Sequence, residues 1–493
     1  MAQAGQYGKH RFWEMVPGLL IWGTFLWAIV TSFFAPAVAV IFIIIFDLYW
    51  TMRVLYFLIF VVYAYRQYKN AMKIDWLAEV KKHKDWERLY HVVLLPTWQE
   101  GVGILRDALN AIDRNPYPND KFIVVLGGEE RDIINFEKYA AELEPEFRNR
   151  FKHFMVTVHP HGLEGEIVGK GANLNWMEKR VKEYIDEQKI PYDDILVTAF
   201  DIDTVPHPQY YGRLSYLFLT EENPTHASYQ PVVLYSNNIW ESSAPVRISM
   251  FGTTFWLMSE LVRPDRMWTF SSHSMTWKML VDVGFHEPDL ISEDSRIFLQ
   301  GLIRYNGDYR SVPMFLPVYM DAVEGDNYWD SLKALYKQQR RWAWGVEHFP
   351  YMMDKFLHLP KMPIRTKLRY IFNDIEGKFT WGTAPILIFA LGYLPFFVIG
   401  EAQTALLANA PFVLERMMQI ATAGVFVSAL ISLWLLPRRP KGKKWYSWIT
   451  MILQWTLLPV TFILFGAFPA IDAQTRMMLG KYLGFNVTKK KDR

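Results

Sequence analysis

Apolar residues are concentrated towards the two ends of the chain, and a long stretch of mixed composition lies between them. Segments 13–34 and 37–64 are each long enough for a membrane-crossing helix, which takes about 20 apolar residues. Ala35-Pro36 separates the two segments. Three further apolar stretches lie at about 380–400, 412–436 and 445–468. This pattern predicts membrane helices on both sides of a domain with the composition of a soluble protein.

Basic residues flank the N-terminal hairpin at both outer ends: Lys9, His10 and Arg11 precede it, and Arg66, Lys69 and Lys73 follow it. Positive flanks favour the cytosolic side of a membrane. We therefore expect a multi-pass protein of the plasma (inner) membrane, in contact with membrane lipids, whose central domain is cytosolic.

Two charged residues, Asp47 and Arg53, lie inside the second apolar segment. A charge at the bilayer centre costs about 2.5–3.5 kcal/mol on insertion scales, so it needs an explanation. Either the two residues mark a polar pathway between helices, or they snorkel or pair within the helix bundle. The sequence leaves both interpretations open.

Short apolar runs alternate with helical patterns in the central region. Four runs are typical of buried strands, at His91–Pro96, Phe122–Leu126, Phe151–Val158 and Ile195–Phe200, and 101–113 has the pattern of a helix. This alternation predicts an α/β domain with a mostly parallel sheet. Ligands of such sheets bind at the carboxyl ends of the strands.

The predicted division of the chain is two transmembrane helices (1–65), an interfacial linker (66–88), the α/β domain (89–345), amphipathic interface helices (346–378), C-terminal transmembrane helices (379–470), and an interfacial helix with a tail (471–493). Net charge is +3, which is too small to indicate a nucleic-acid partner. The absence of cysteine excludes disulfides, thiolate metal sites and a cysteine nucleophile.

Three polar clusters have residue types suited to chemistry. Asp201 and Asp203 directly follow a predicted strand and could hold Mg²⁺ or Mn²⁺ together, although a solvated turn would look the same. Glu293 and Asp294 precede a predicted helix, where they would serve either as a general base or as a helix cap.

The third cluster consists of Gln338, Arg341 and Trp342, which share one face of a predicted helix. An arginine there could hold a diphosphate and an indole could stack on a sugar. The alternative is a basic and aromatic belt beside the membrane.

Taken in order, these clusters resemble the motifs of family 2 inverting glycosyltransferases of the processive type, such as cellulose, hyaluronan and chitin synthases. The matching segments are Pro96-Thr97-x-x-Glu100, Lys170-Gly171-Ala172-Asn173-Leu174-Asn175, Phe200-Asp201-x-Asp203-x-Val205-Pro206, Gln230-Pro231, Ser292-Glu293-Asp294 and Gln338-x-x-Arg341-Trp342. The resemblance implies a GT-A-type, Rossmann-like domain and Mg²⁺ or Mn²⁺ as cofactor.

The same resemblance implies a role for each position. Donor or nucleotide contacts fall on Thr97, Glu100, Glu129, Lys170, Asp201 and Arg341; acceptor contacts on Gln230, Gln338 and Trp342; metal contacts on Asp203 and Asp201; and catalysis on Asp294, as base, and Glu293. Glu129 departs from the family, which usually has an aspartate pair there, so the identity of the nucleotide base stays open.

Near the C-terminus, Phe485-x-Val487-Thr488-x-Lys490 resembles the family's gating loop, which closes over the donor. A gating loop must lie on the same side as the catalytic domain, whereas three spans after that domain would place it on the other side. An even number of spans resolves the conflict, if either 445–468 is re-entrant or 380–400 does not cross.

The resulting expectation is an enzyme that moves a sugar from a nucleotide-sugar donor, in the first place a UDP-sugar, to a growing polysaccharide with coupled export. A single transfer to a lipid acceptor, as in ceramide glucosyltransferase-like enzymes, is the first alternative. A non-catalytic membrane scaffold or transporter is the second.

Overall fold

The computed structural model describes residues 9–399, 404–444 and 446–484. The four predicted gating-loop residues, Phe485, Val487, Thr488 and Lys490, lie outside the described residues.

Strands and helices alternate through the central region, and longer helices stand on either side. The strands are β1 (Tyr90–Pro96), β2 (Phe122–Glu129), β3 (His153–His159), β4 (Ile195–Ala199), β5 (Val205–Pro206), β6 (Ala227–Leu234), β7 (His273–Thr276) and β8 (Arg310–Tyr319). The helices are α1 (Lys9–Phe34), α2 (Pro36–Ala71), α3 (Trp76–Val80), α4 (Val102–Asp113), α5 (Ile133–Phe147), α6 (Lys170–Glu187), α7 (Tyr210–Thr220), α8 (Ala244–Leu261), α9 (Trp277–Val283), α10 (Glu293–Arg304), α11 (Tyr328–Ala343), α12 (His348–Leu357), α13 (Ile364–Phe389), α14 (Leu394–Ile399), α15 (Ala405–Leu435), α16 (Ser447–Leu453), α17 (Leu458–Phe462) and α18 (Phe468–Met478).

One sheet of order β3-β2-β1-β4-β7-β6-β8-β5 organises the central domain. Strands β3, β2, β1 and β4 are parallel to one another. The other half is mixed, because β7 pairs antiparallel with both β4 and β6 while β6 and β8 are parallel. The predicted α/β domain between apolar helices is confirmed, and its parallel order holds for the first half of the sheet.

Helices cover both faces of the parallel half, which is why its strands are continuous apolar runs. Along β1, Val93 and Leu95 contact the layer that contains α4. Val92 and Leu94 point the other way and join the layer that contains α6. Full burial of each such side chain contributes about 1.5–3 kcal/mol, so this half is a rigid platform for the residues at its strand ends.

Four helices of the described residues are long and apolar enough to cross a membrane: His10–Phe34, Pro36–Ala71, Ala405–Leu435 and the continuous helical segment Ser447–Met478. A bent pair, Ile364–Phe389 with Leu391–Val398, would be a fifth. The break between the first two falls at Ala35, where the sequence predicted it.

The bent pair and α15 run in opposite directions along α2. Tyr370 of α13 packs against Phe298 of the α/β domain with ring centroids 5.8 Å apart, and the pair ends where Phe396 packs near Val40. Helix α15 starts beside the same Val40 and ends with Trp434 stacked on Tyr65 at 5.5 Å.

An ion pair between α2 and α13 accounts for one of the two charges in the second apolar segment. The guanidinium of Arg53 contacts the carboxylate of Glu376, and Tyr49 donates to the same carboxylate. This contact agrees with the interpretation that Arg53 pairs within the helix bundle. Asp47 is also buried, and Oδ1 of its side chain has no hydrogen-bond partner among the described residues.

The segment Ser447–Met478 contacts the α/β domain near both of its ends. Near its start, Nε of Arg247 in α8 donates to Oε1 of Gln454 at 2.5 Å. Near its end, NH1 of Arg340 in α11 lies 2.8 Å from Oδ2 of Asp472. The two ends of this apolar segment therefore lie on the same side of the helix bundle, next to the domain.

Candidate active site

The carboxyl ends of the parallel strands place several of the predicted residues along one edge of the sheet. Thr97 follows β1, Glu129 ends β2 and Asp201 follows β4 by two residues. Because β1 is hydrogen-bonded to both β2 and β4 in parallel register, these three ends are adjacent. The edge is the position where open α/β sheets bind ligands.

Lys170 joins acidic residues that are distant in the sequence. Its Nζ lies 2.7 Å from Oδ1 of Asp201, 2.9 Å from Oδ1 of Asp294 and 3.5 Å from Oε1 of Glu293. We refer to these four residues as the Lys170 cluster. Three of the predicted motifs thus meet at one ammonium group.

Burial and charge oppose each other within this cluster. Burial acts to lower the pKa of Lys170, but Asp201, Asp294 and Glu293 raise it well above its usual value. Burial, together with the charge of Asp294, raises the pKa of Glu293 to about 7, against the opposing charges of Lys170 and Arg341. The lysine is therefore a fixed cation, whereas Glu293 titrates near neutral pH.

Helix α6 holds Lys170 in place through the two asparagines of its first turns. Nδ2 of Asn173 donates to the carbonyl of Gly127 in β2 at 2.9 Å, and Nδ2 of Asn175 donates to the carbonyl of His286 at 2.7 Å. Gly171 lies so close to α10 that an added Cβ would be 3.2 Å from Cβ of Glu293. The motif thus fixes the helix start against both β2 and the acidic pair.

The side chain of Asp203 contacts the backbone just after the end of β8. Its Oδ2 accepts the backbone N–H of Asp321 at 3.0 Å, and its carbonyl accepts Nδ2 of Asn237 at 3.3 Å. Tyr235 is affected by the charges of both acidic motifs. Burial raises the pKa of its phenol, and the charges of Asp201, Asp203 and Asp294 raise this pKa further. The charges of Asp201, Asp203 and Asp294 thus all act on one buried tyrosine, which the sequence patterns did not single out.

A short loop between α8 and β7 connects the two acidic motifs. Oγ1 of Thr269 donates to the carbonyl of Asp294 at 2.6 Å, and Oγ of Ser271 donates to Oδ2 of Asp201 at 2.5 Å. Between them, the N–H of Phe270 donates to Oε1 of Gln230 at 2.8 Å. Gln230 is fully buried, and its predicted contact with an acceptor stays a prediction.

Ser292 is the N-cap residue of α10, and the acidic pair follows it in the first turn of the helix. Carboxylates there interact favourably with the helix dipole. Glu293 and Asp294 also contact Lys170. The two residues therefore lie at the start of a helix and belong to the Lys170 cluster at the same time.

Helix α11 brings the last motif beside the cluster. The charge of Arg341 acts on both Glu293 and Tyr235, and the ring of Trp342 has its centroid 6.0 Å from that of Tyr235. Gln338 is buried on the same helix, and its Oε1 has no hydrogen-bond partner within the described part of the chain.

Two of the residues predicted to contact the nucleotide, Thr97 and Glu100, are linked to each other, whereas Glu129 contacts a neighbouring arginine. Oε2 of Glu100 accepts Oγ1–H of Thr97 at 2.8 Å and the N–H of Trp98 at 2.6 Å. Nε of Arg131 donates to Oε2 of Glu129 at 2.9 Å. These contacts shape the turns after β1 and β2, and the nucleotide-binding roles stay predictions.

The acidic residues suit a hard divalent cation only in part. The described residues contain no group of three or more histidine, cysteine, aspartate or glutamate side chains arranged to hold a metal ion. Mg²⁺, however, is commonly bound by one or two carboxylates together with substrate phosphates. Asp201 and Asp203 supply two carboxylates on one turn, so a ligand with phosphate oxygens would have to complete the coordination.

Comparison with known proteins gives one family match. The description "Glycosyl transferase family group 2" matches residues 196–470. Among solved structures, the chain is similar to the mannosyltransferase PcManGT from Pyrobaculum calidifontis in complex with GDP-Man and Mn²⁺, with 16% identity, a TM-score of 0.41, and 77% of this chain and 99% of that chain covered. It is also similar to S. aureus TarS in complex with UDP-GlcNAc, with 12% identity, a TM-score of 0.37, and 81% and 94% covered. None of the curated proteins matches the sequence.

Proposed function

Because the chain belongs to glycosyl transferase family group 2, we propose that it transfers a sugar from a UDP-sugar to the end of a growing polysaccharide, processively and with export through its membrane helices. The observation that supports this most is the Lys170 cluster, in which a lysine from one motif contacts three carboxylates from two others. Such a cluster provides both a base and fixed charge beside a strand-end site.

In the proposed reaction an acceptor hydroxyl attacks the anomeric carbon of the donor. A bond forms between that oxygen and the anomeric carbon, the bond from the carbon to the diphosphate breaks, and the nucleoside diphosphate leaves with the electron pair. Asp294 takes the hydroxyl proton. The configuration at the anomeric carbon is inverted because the attack is a single displacement.

Charge stabilisation of the leaving diphosphate falls to residues that are already fixed in place. Lys170 is buried and permanently charged, and Arg341 adds a second positive charge beside it. Fixed charges that face developing negative charge are commonly the largest contribution to catalysis. Asp203 and Asp201 would hold Mg²⁺ or Mn²⁺, which neutralises phosphate oxygens when bound. Trp342 is assigned to the acceptor end.

The membrane arrangement supports the same proposal. We infer four crossings, by α1, α2, the bent pair α13–α14 and α15, with Ser447–Met478 lying at the membrane surface against the domain. The catalytic domain and the C-terminal segment then share the cytosolic side. This even count satisfies the requirement for a gating loop, and it selects the segment 445–468 as the one that does not cross.

A donor screen tests the function. The purified full-length protein in lipid is incubated with labelled UDP- and GDP-sugars and either Mg²⁺ or Mn²⁺, and the products are sized. A polymer made from a UDP-sugar is expected. A product one sugar long on a lipid would establish the lipid-acceptor alternative instead, and the absence of both transfer and donor hydrolysis would contradict the proposal.

A further inference from the structure

The residues that follow Gln338-x-x-Arg341-Trp342 fold back onto the start of α10. Glu347 accepts hydrogen bonds through both carboxylate oxygens. Its Oε1 accepts the backbone N–H of Ser292 at 3.1 Å and the hydroxyl of the same serine. Its Oε2 accepts Nε1–H of Trp344 at 3.0 Å. Glu347 is thus hydrogen-bonded both to the start of α10 and to a tryptophan of its own segment.

Ser292 is the residue immediately before the acidic pair. A serine at the start of a helix usually accepts an N–H of the first turn through its hydroxyl oxygen. Ser292 makes no such bond and uses its hydroxyl as a donor to Glu347 instead. The start of α10 is therefore positioned by a carboxylate from outside the helix.

The neighbouring His348 holds the next residues of the same helix. Its Nδ1 accepts Nε–H of Arg296 at 3.3 Å, which leaves Nε2–H to donate to Oγ of Ser295 at 2.7 Å. Burial lowers the pKa of His348 well below its usual value, and the charge of Arg296 lowers it further, so the imidazole is neutral. Glu347 and His348 together contact one full turn of α10 around Glu293 and Asp294.

We propose that Glu347 is a positioning residue that sets the location of the Asp294 carboxylate relative to the bound donor and acceptor. The proposal rests on the function proposed above, in which Asp294 is the base. Glu347 acts through Ser292, because its carboxylate accepts hydrogen bonds from Ser292 and Trp344 and, within the described part of the chain, forms no ion pair with Lys170. A displacement of about 1 Å at a reacting group costs as much as about 100-fold in rate.

Variants of both partners test the proposal. Glu347→Ala and Ser292→Ala are each expected to lower kcat about 10- to 100-fold, with the donor KM and the donor Kd changed by less than about threefold. The double variant should be little worse than the poorer single variant, because both changes remove the same contact.

Conservative variants separate positioning from folding. Glu347→Gln keeps an oxygen that can accept from Ser292, and Ser292→Thr keeps the hydroxyl, so both should retain more of kcat than the alanine variants. Glu260→Gln is the matched control: Glu260 is a buried carboxylate paired with Arg263 and Arg266 at the end of α8. Its kcat, measured per folded enzyme, should stay at the wild-type value. If Glu347→Ala does not fold, the kcat values of Glu347→Gln and of the Ser292 variants test the proposal instead.

Wild-type kcat in both Ser292→Ala and Glu347→Ala would overturn the proposal, as would wild-type kcat in Ser292→Ala alone if Glu347→Ala does not fold. So would a fall in kcat that follows only the loss of folded protein and appears equally in Glu260→Gln. A wild-type enzyme that transfers no sugar at all is a different result, since it removes the proposed function itself.

Discussion

Nζ of Lys170 lies 2.9 Å from Oδ1 of Asp294, although the two residues are 124 positions apart in the chain. The contact joins the start of α6 to the start of α10, so the two helices present opposite charges to one point. The same ammonium group also contacts Asp201 and Glu293. Loss of one carboxylate therefore leaves Lys170 with two partners, which should keep its ammonium group in place.

The change Asp294→Asn separates catalysis from binding. The amide keeps the shape of the side chain but cannot take a proton, so the transfer rate should fall by about 100- to 10,000-fold, the usual contribution of a general base. The donor Kd, measured by calorimetry, should change by less than about threefold, because Lys170 and Arg341 are unaltered.

The control for this change is Asp289→Asn, the same substitution at an exposed residue shortly before α10. It should transfer sugar at the wild-type rate. Normal turnover by Asp294→Asn would show that another residue takes the proton.

The raised pKa of Glu293 predicts that the stability of the protein depends on pH. Burial, with the charge of Asp294, raises its pKa from 4.5 to about 7. A carboxyl group whose pKa is higher in the folded than in the unfolded protein lowers stability as the pH rises between the two values. The free energy of unfolding of wild type relative to Glu293→Gln should therefore fall between about pH 4.5 and 7, by on the order of 3 kcal/mol, and stay constant above.

Thermal unfolding followed by tryptophan fluorescence at several pH values measures this difference. Glu137→Gln, at an exposed glutamate of α5, serves as the control and should show no such trend. A difference between wild type and Glu293→Gln that does not vary with pH would contradict the raised pKa.

The sequence was sufficient to predict the first half of the sheet and the acidic motifs. Strands β1, β2 and β4 are buried on both faces, so each is a continuous apolar run that a pattern can detect. The mixed half was not predicted. Strands β7 and β5 have four and two residues, which is too short for a pattern to be detected. Strands β6 and β8 are longer, but prolines interrupt their apolar pattern. Their pairing is set by contacts between distant parts of the chain.

The supporting residues of the site had no sequence signal. Thr269, Ser271 and Glu347 are single polar residues in ordinary surroundings, and each acts on a partner at least 25 positions away. Hydropathy also did not predict the proposed location of Ser447–Met478, because this segment is long and apolar enough to cross a membrane. The contacts of Gln454 and Asp472 with the domain support the proposed location at the membrane surface.

Replacing Gly171 by alanine would favour the helix by its propensity but crowd the packing around it. Replacing a glycine in a helix by alanine stabilises the helix by about 1 kcal/mol. At Gly171, however, the new Cβ would lie 3.2 Å from Cβ of Glu293 and 3.1 Å from the carbonyl oxygen of Glu287. Gly171→Ala should therefore displace the acidic pair and lower kcat about tenfold or more.

The matched control is Gly252→Ala in α8, where the nearest atom to an added Cβ is 3.9 Å away. That variant should keep the wild-type kcat and gain slightly in stability. Equal kcat values for the two variants would show that the close approach of α6 and α10 does not matter for transfer.

The number of membrane crossings can be tested directly because the chain contains no cysteine. Single cysteines are introduced at three exposed positions: Asn409 at the start of α15, Lys441 after its end, and Lys481 after α18. Intact cells and inside-out vesicles are then treated with a maleimide that does not cross membranes.

Four crossings predict that Asn409→Cys is labelled in intact cells, whereas Lys441→Cys and Lys481→Cys are labelled only in inside-out vesicles. The positive charges after α15 favour the cytosol for Lys441, so the decisive position is Lys481. Labelling of Lys481→Cys from outside intact cells would mean that Ser447–Met478 crosses the membrane. In that case Asp472 could not pair with Arg340 of the α/β domain, and the arrangement of α18 against α11 would be wrong.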